Sequence, residues 1–328
     1  MAILVTGGAG YIGSHMVLAL SDRGEKVVVI DNLSTGFPWA LPPNVILRGG
    51  DVGDAGFVAS VIEEFGIDEI AHFAAKIVVP ESVTNPMLYY GNNTAKSRML
   101  IETAIRCGVK RFIFSSTAAV YGDVSGDPVS ENLTPNPVSP YGRSKLMTEW
   151  MLEDASRAHD FRFIALRYFN VAGADPLGRS GQSTPNATHL IKVAVQTALG
   201  QRPAMDIFGT DYPTHDGSCI RDYIHVTDLA SAHVDALAYL RRGGESMIMN
   251  CGYGKGFSVL EVVDVVRKVT GVNFKANLVP RRPGDPATIV AKSDKIRAVL
   301  GWKPEHDNLE EIVGQAHAWE RHLAARNS

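Results

Sequence analysis

The chain has 328 residues, 45% of them hydrophobic and 20% charged, with a formal net charge of −3, enough for one large globular unit or two joined domains. The slight negative charge and the scatter of its basic residues exclude nucleic acid and anionic membrane as partners. Nothing approaches the roughly 18 uninterrupted apolar residues of a membrane span, and the opening MAILVTGGAG has no basic stretch before an apolar one, so a cytoplasmic protein is expected.

Six apolar runs come in order through the first half: AILVTG, VVVID, VILRGGD, EIAHFAA, RFIFSS and FRFIALRYF. Their alternation with amphipathic stretches predicts a parallel sheet covered on both faces, a doubly wound α/β fold. The first run leads into VTGGAGYIG, where Gly7, Gly10 and Gly13 allow a tight turn and close approach of a diphosphate to a helix N-terminus. The second run ends in Asp31, whose carboxylate can accept both hydroxyls of an adenosine ribose and would repel a 2′-phosphate. Asn32 and Leu33 supply no arginine for such a phosphate, so NAD is expected rather than NADP. Asp51 closes the third run, where a short acid can meet the adenine edge or simply face solvent.

Farther along, Thr94–Cys107 carries Ala95, Met99, Leu100, Ala104 and Ile105 at helical spacing. SPYGRSK then opens a second long helix, with Ser139 as N-cap and Pro140 at the first helical position. Tyr141 and Lys145 lie four residues apart on one face of it. A free tyrosine has a pKa of about 10 and is a poor base; a neighbouring ammonium favours the phenolate and moves it toward the range useful for proton transfer. These two helices, with Trp150 and Met151, hold apolar surface suited to core packing or to a dimer interface.

After about Ala174 the pattern changes. DPLGRSGQSTPNATH reads as a long loop, and a second, smaller region follows, expected to span residues 175–328 after an NAD-binding region of residues 1–174. RDYIHVTDLASAHVDALAYL can return to the first sheet, and Ser258 with Glu261 forms a capping box for a helix running to about Thr270. Cys107, Cys219 and Cys251 are far apart, with no CxxC spacing, and the ten histidines form no ligand pair, so neither disulfide nor metal is expected.

Taken together, TGGAGYIG, HFAA, FSSTAAVYG, SPYGRSK and LRYFNVAGA, in this order, resemble the extended short-chain dehydrogenase/reductase family. IFGTDYPTHDGSCIRDYIHVTDLA and RRPGD narrow the resemblance to its nucleotide-sugar 4-epimerases. The resemblance implies a Rossmann sheet with a smaller C-terminal α/β substrate domain, and interconversion of UDP-galactose and UDP-glucose through hydride removal at C4, a 4-keto sugar and hydride return to the opposite face. Tyr141 would move the 4-hydroxyl proton, Lys145 would tune the phenol and bond the nicotinamide ribose, and Thr117, or Ser116 beside it, would hold the reacting oxygen. Further cofactor contacts are implied for Tyr11, Ile12 and Val52, for Phe73, Ala74 and Ala75, and for Asn92, Ser115 and Phe169.

On the substrate side the resemblance implies Arg221 and Arg282 at the diphosphate, Asp285 at a ribose hydroxyl, Asn170 at a phosphate, and the backbone of Ile207 and Phe208 at the uracil. Arg281 reads as a surface neighbour. His189 and Leu190 fall near the sugar, His189 where a related bacterial subgroup has asparagine. Lys76 stands one place before Ile77, the position of that subgroup's lysine. Ile289 replaces a larger tyrosine beside the sugar, which implies room for an N-acetyl group. Sugar-nucleotide dehydratases of the superfamily follow the threonine with Asp-Glu to expel water, whereas Thr117 is followed by Ala118 and Ala119, so epimerisation is the expected outcome. The rival readings are an epimerase or reductase for a uronic acid, pentose or other nucleotide sugar, and a non-catalytic NAD sensor, which would not need the Tyr141–Lys145 pair. A homodimer is expected.

Overall fold

A computed structural model describes residues 2–124, 128–185, 187–282 and 284–327. Its first part alternates strand and helix: β1 (Ala2–Thr6), α1 (Tyr11–Ser21), β2 (Lys26–Asp31), β3 (Ile46–Gly49), α2 (Ala55–Phe65) and β4 (Ile67–His72). Two short helices, α3 (Val79–Thr84) and α4 (Pro86–Tyr89), run through a wider π-turn at Tyr90–Ala95 into α5 (Lys96–Arg106). Then come β5 (Arg111–Ser115), α6 (Pro140–Ala158), β6 (Arg162–Tyr168) and β7 (Asn170–Ala172). The remainder holds α7 (Leu190–Ala198), β8 (Met205–Phe208), β9 (Ile220–His225), α8 (Val226–Arg241), β10 (Met247–Cys251), β11 (Gly256–Ser258), α9 (Val259–Thr270), β12 (Ala276–Val279), β13 (Thr288–Ile289), α10 (Asp294–Leu300) and α11 (Leu309–Asn327).

The six expected runs form one parallel sheet in the order β6-β5-β4-β1-β2-β3, with β10 added beyond β6. Its central strands are apolar on both sides because helices cover both faces, as the run of Val27, Val28, Val29 and Ile30 shows. The seventh strand, β10, was not among the expected runs. It pairs in parallel with β6, but its MIMNC sequence holds one β-branched residue, Ile248, between two methionines, and no alternation betrays it. RDYIHVTDLASAHVDALAYL divides: β9 enters a smaller sheet with β7, β11 and β13, while α8 packs against α1 of the main layer.

Helix boundaries follow local chemistry. Ser139 Oγ accepts the Gly142 amide at 3.2 Å with Pro140 next to the cap, so α6 starts where expected. The Ser258–Glu261 capping box is formed, and α9 ends at Gly271 with φ 70°. One apolar cluster runs without a break from Ile3, Val5 and Val29 of the main sheet into Val262, Trp302 and Val313 of the later part; a second, around Leu4, Phe112 and Phe163, fills the opposite face of the sheet.

Candidate active site

The glycine loop between β1 and α1 is shaped by close approach. Gly7 has φ 68°, and a Cβ there would lie 2.6 Å from the Ala74 nitrogen; one at Gly13 would lie 2.1 Å from the Gly7 oxygen. Gly10 is the N-cap of α1 and no side chain bonds its first-turn amides, which leaves them for an anion. Asp31 is nearly buried at the end of β2 and accepts the Ala9 amide at 3.0 Å and the Leu33 amide at 2.8 Å, so the expected ribose acceptor is held against the loop. Beside it a small half-open cleft of about 10 Å³ is lined by Gly10, Tyr11, Thr35, Phe37, Ser180 and Ser183. These features fit a dinucleotide diphosphate and its adenosine ribose.

Around this loop the other expected cofactor residues fall unevenly. Phe73, Ala74 and Ala75 continue β4 beneath the loop, half-buried. Asn32 is exposed, Val52 is buried, and Ile12 is half-buried in the first turn of α1. Tyr11 gives its hydroxyl to the Gly173 carbonyl at 2.7 Å. Burial acts to raise the Asp51 carboxyl, but the Lys96 ammonium at 2.5 Å and the Gly53 amide hold it below the ordinary aspartate range. Asn92 is half-buried and gives its amide to Asn93; Asn93 itself is buried and bonds the Lys76 backbone through both ends of its amide and Ser144 Oγ at 3.1 Å. Lys76 points its ammonium at Glu81, 3.9 Å away, and Ile77 is exposed.

Tyr141 and Lys145 face inward, not to solvent: they are 7% and 3% exposed. Lys145 Nζ donates to the Ser115 carbonyl at 2.8 Å and lies 4.9 Å from the centre of the Phe114 ring. Burial pushes the ammonium down to about 7, and the charge of Glu149 opposes that fall. The phenol departs from expectation. Burial raises Tyr141 above its ordinary value, and the lowering influence is a hydrogen bond with Thr117, not the lysine. Desolvation of the buried ring outweighs the Thr117 hydrogen bond. Thr117, nearly buried just beyond β5, also accepts the Ala119 amide at 3.2 Å; Ser115 Oγ shares a hydrogen bond with the Tyr168 hydroxyl at 2.5 Å.

On the other wall, Arg221 and Asp285 approach to 3.9 Å, and the Arg282 guanidinium lies 3.6 Å from the centre of the Phe208 ring next to buried Ile207. Pro283 of RRPGD lies outside the described residues. Arg281 instead pairs with exposed Asp211 at 2.7 Å. Ile289, paired in register with Arg221, is buried against Ala118, Leu146 and Phe169, so this wall meets α6. Asn170 opens β7, half-buried, and Leu190 opens α7. His189 is half-buried within 3.2 Å of Gln182; burial, then the Lys192 charge, lowers its pKa.

Residues 3–252 match the model of the NAD dependent epimerase/dehydratase family. The chain belongs to this family. It is 57% identical over 321 residues to a UDP-glucose 4-epimerase of Azospirillum brasilense, covering 98% of this chain and 92% of that one. It is 48% identical to a UDP-Glc/GlcNAc 4-epimerase from Campylobacter jejuni whose solved structure superposes with a TM-score of 0.86 and 98% and 99% coverage. A UDP-glucose 4-epimerase from Brucella ovis, solved in complex with NAD, is 39% identical, with a TM-score of 0.94 and 97% coverage of both chains. Against this family background, the polar residues that sequence reasoning passed over are Asn93, Glu149 and Arg167. Their signals were present: an arginine inside the otherwise apolar FRFIALRYF, and a glutamate one helical repeat beyond Lys145.

Proposed function

We propose that the chain is a UDP-glucose 4-epimerase that interconverts UDP-galactose and UDP-glucose, with Tyr141, Lys145 and Thr117 at the reacting carbon. The observation that carries the reading is the inward-facing Tyr141–Lys145 pair, together with a glycine loop that admits no Cβ at Gly7 or Gly13 and alanines rather than carboxylates after Thr117. NAD, when bound, supplies a hydride acceptor that returns the hydride to the opposite face of the sugar. The first-turn amides at Gly10–Gly13 hold its diphosphate and Asp31 its adenosine ribose, with Asp51 toward the adenine. Thr117 holds the C4 oxygen, and Tyr141 removes its proton and later restores it. The Lys145 ammonium stabilises the phenolate while it exists.

In this reading residues 1–174 form the NAD-binding domain and residues 175–328 the nucleotide-sugar domain, with α8 and β10 returning to the first. Arg221 and Arg282 grip the diphosphate, Asp285 a ribose hydroxyl, Asn170 a phosphate, and the β8 backbone the uracil. Ile289 leaves more room than a tyrosine, which supports turnover of UDP-N-acetylglucosamine; the Campylobacter relative carries both sugars in its name. The protein is a cytoplasmic homodimer joined through α5 and α6. Trp150 is 55% exposed and Met147 lies beside it on α6, surface that the chain's own core leaves uncovered, and among the described residues no helix is long and apolar enough to cross a membrane.

The test is incubation of purified protein with UDP-galactose and no added nicotinamide, following products and NADH absorbance. UDP-glucose without lasting NADH supports the reading; net consumption of added NADH supports a reductase, and bound NAD with no product overturns the substrate. A monomeric mass by light scattering that Trp150→Glu leaves unchanged removes the homodimer.

A further inference from the structure

The end of β5 is fastened to α6 at three successive turns. Tyr141, Lys145 and Glu149 follow one another at four-residue intervals and so form one stripe of the helix. Three consecutive residues meet that stripe: Thr117 bonds Tyr141, the Ser115 carbonyl accepts from Lys145 at 2.8 Å, and Ser116 Oγ donates to Glu149 at 2.5 Å. Ser116 and Glu149 are fully buried. Glu149 is gripped in turn by Arg167 of β6, whose Nε and Nη2 donate to its two oxygens at 3.0 and 2.6 Å, and the guanidinium stacks 4.9 Å from the centre of the Tyr121 ring.

A buried ion pair of this kind does little for net stability, because desolvating both charges cancels most of their attraction. Its placement does something an apolar pair cannot. Both oxygens of Glu149 are committed, one to the residue flanking Thr117, both to Arg167 of β6, so the helix cannot rotate or slide against the ends of β5 and β6 without breaking these three hydrogen bonds. We infer that Glu149, acting through Ser116 and Arg167, is a positioning residue that sets the register of Tyr141 against Thr117. The inference rests on the catalytic roles proposed above for Tyr141, Lys145 and Thr117.

Lys145 meets the Ser115 carbonyl and the Phe114 ring on β5 and interacts through its charge with Glu149 on its own helix and His72 on β4; Arg167 on β6 is held by Glu149. His72, pushed down to about 3 by burial and then by Lys145, is neutral near pH 7, and Arg167 is matched by Glu149. Glu149 is thus the group whose removal changes the charge Lys145 faces in the neutral range.

The experiment uses the full-length NAD-loaded protein with UDP-galactose and three variants. Ser116→Ala cuts the link and spares the ion pair, Glu149→Asp keeps charge but shortens reach, and Glu149→Gln keeps shape but removes charge. Ser116→Ala and Glu149→Asp are expected to lower kcat on the order of 10-fold, with KM within about twofold, since misplacement of a reacting group acts on the chemical step. Glu149→Gln is expected in addition to move the alkaline fall of the kcat profile roughly one pH unit toward acid, because an ammonium without its anion loses its proton more readily; Glu149→Asp keeps the wild-type limb.

Wild-type kcat and pH profile in Ser116→Ala and Glu149→Asp, whatever their Tm, overturn the inference even if Glu149→Gln fails to fold. A wild-type protein inert toward UDP-galactose sinks the proposed activity instead. The positioning claim is then decided by the ultraviolet titration of Tyr141, taken as the difference from a Tyr141→Phe partner: a higher midpoint in Ser116→Ala supports it, and an unchanged one overturns it.

Discussion

At the scale of single residues, Tyr141 and Lys145 show how burial changes a motif's meaning. The four-residue spacing makes them neighbours, but desolvation sets their titration: the phenol rises and the ammonium falls to about 7. Tyr141→Phe is expected to reduce kcat by about 10²–10⁴-fold, the usual worth of a positioned proton carrier, while NAD content and UDP affinity stay at wild-type levels. A variant within twofold of wild type removes Tyr141 from the reaction. Lys145→Met makes the opposite kind of prediction, one of stability. Below about pH 7 the lysine is charged in both folded and unfolded chains, and folding bears the full cost of burying it; between about 7 and 10.5 only the unfolded chain holds the proton, and the cost fades as pH rises. In protein stripped of NAD, Lys145→Met should therefore melt higher than wild type, with the gap larger at pH 6 than at pH 9. A gap that widens with pH contradicts this. An inactive but more stable variant is what a strained functional group leaves behind when removed.

At the scale of elements, α11 closes the cofactor end. The segment after β2 folds back over the glycine loop through a hydrogen bond from the Phe37 amide to the Ala9 carbonyl at 2.9 Å, and Leu33 takes a positive φ of 58° to make that turn. Trp39 then lies 6.1 Å from Trp319 of α11, ring centre to ring centre, and the Arg326 guanidinium lies 4.4 Å from the Trp39 ring centre. Trp319 also donates to Ser183 Oγ at 3.2 Å and packs against Gly181, where a Cβ would come within 2.4 Å of the ring. One buried indole thus braces both loops that border the small cleft beside Gly10. Trp319→Ala is expected to cost about 3–5 kcal/mol of stability from the cavity it leaves and to speed the loss of bound NAD on gel filtration. An unchanged NAD content after repeated filtration shows that the brace does not hold the cofactor. Little of this was legible beforehand, because TGFPWALPP and AHAWERH carry no periodicity that ties them together across the chain.

At the scale of the whole molecule, folding buries histidines that must stay neutral. His15, His225 and His233 are lowered to about 4 and His72 to about 3, each first by desolvation. Their folded values lie below the unfolded value of 6.5, so their contribution to stability is intact above pH 6.5 and is lost as pH falls toward 4. Asp222, raised to about 6 by burial, opposes them with a single proton. Unfolding at pH 5 should take up protons from buffer, measurable as a calorimetric enthalpy that changes with the buffer's ionisation heat; no net uptake would refute the account. The sequence by itself determined the alternating six-strand frame, the glycine loop with Asp31, the cap of α6 and the Tyr141–Lys145 spacing, because these depend on residues within a few turns of one another. Only the tertiary structure decided that β10 completes the sheet, that burial raises the phenol, and that Glu149 of α6 pairs with Arg167 and Ser116. Those depend on desolvation and on partners such as Ser116 and Glu149, 33 residues apart, whose contact exists only once the chain has packed.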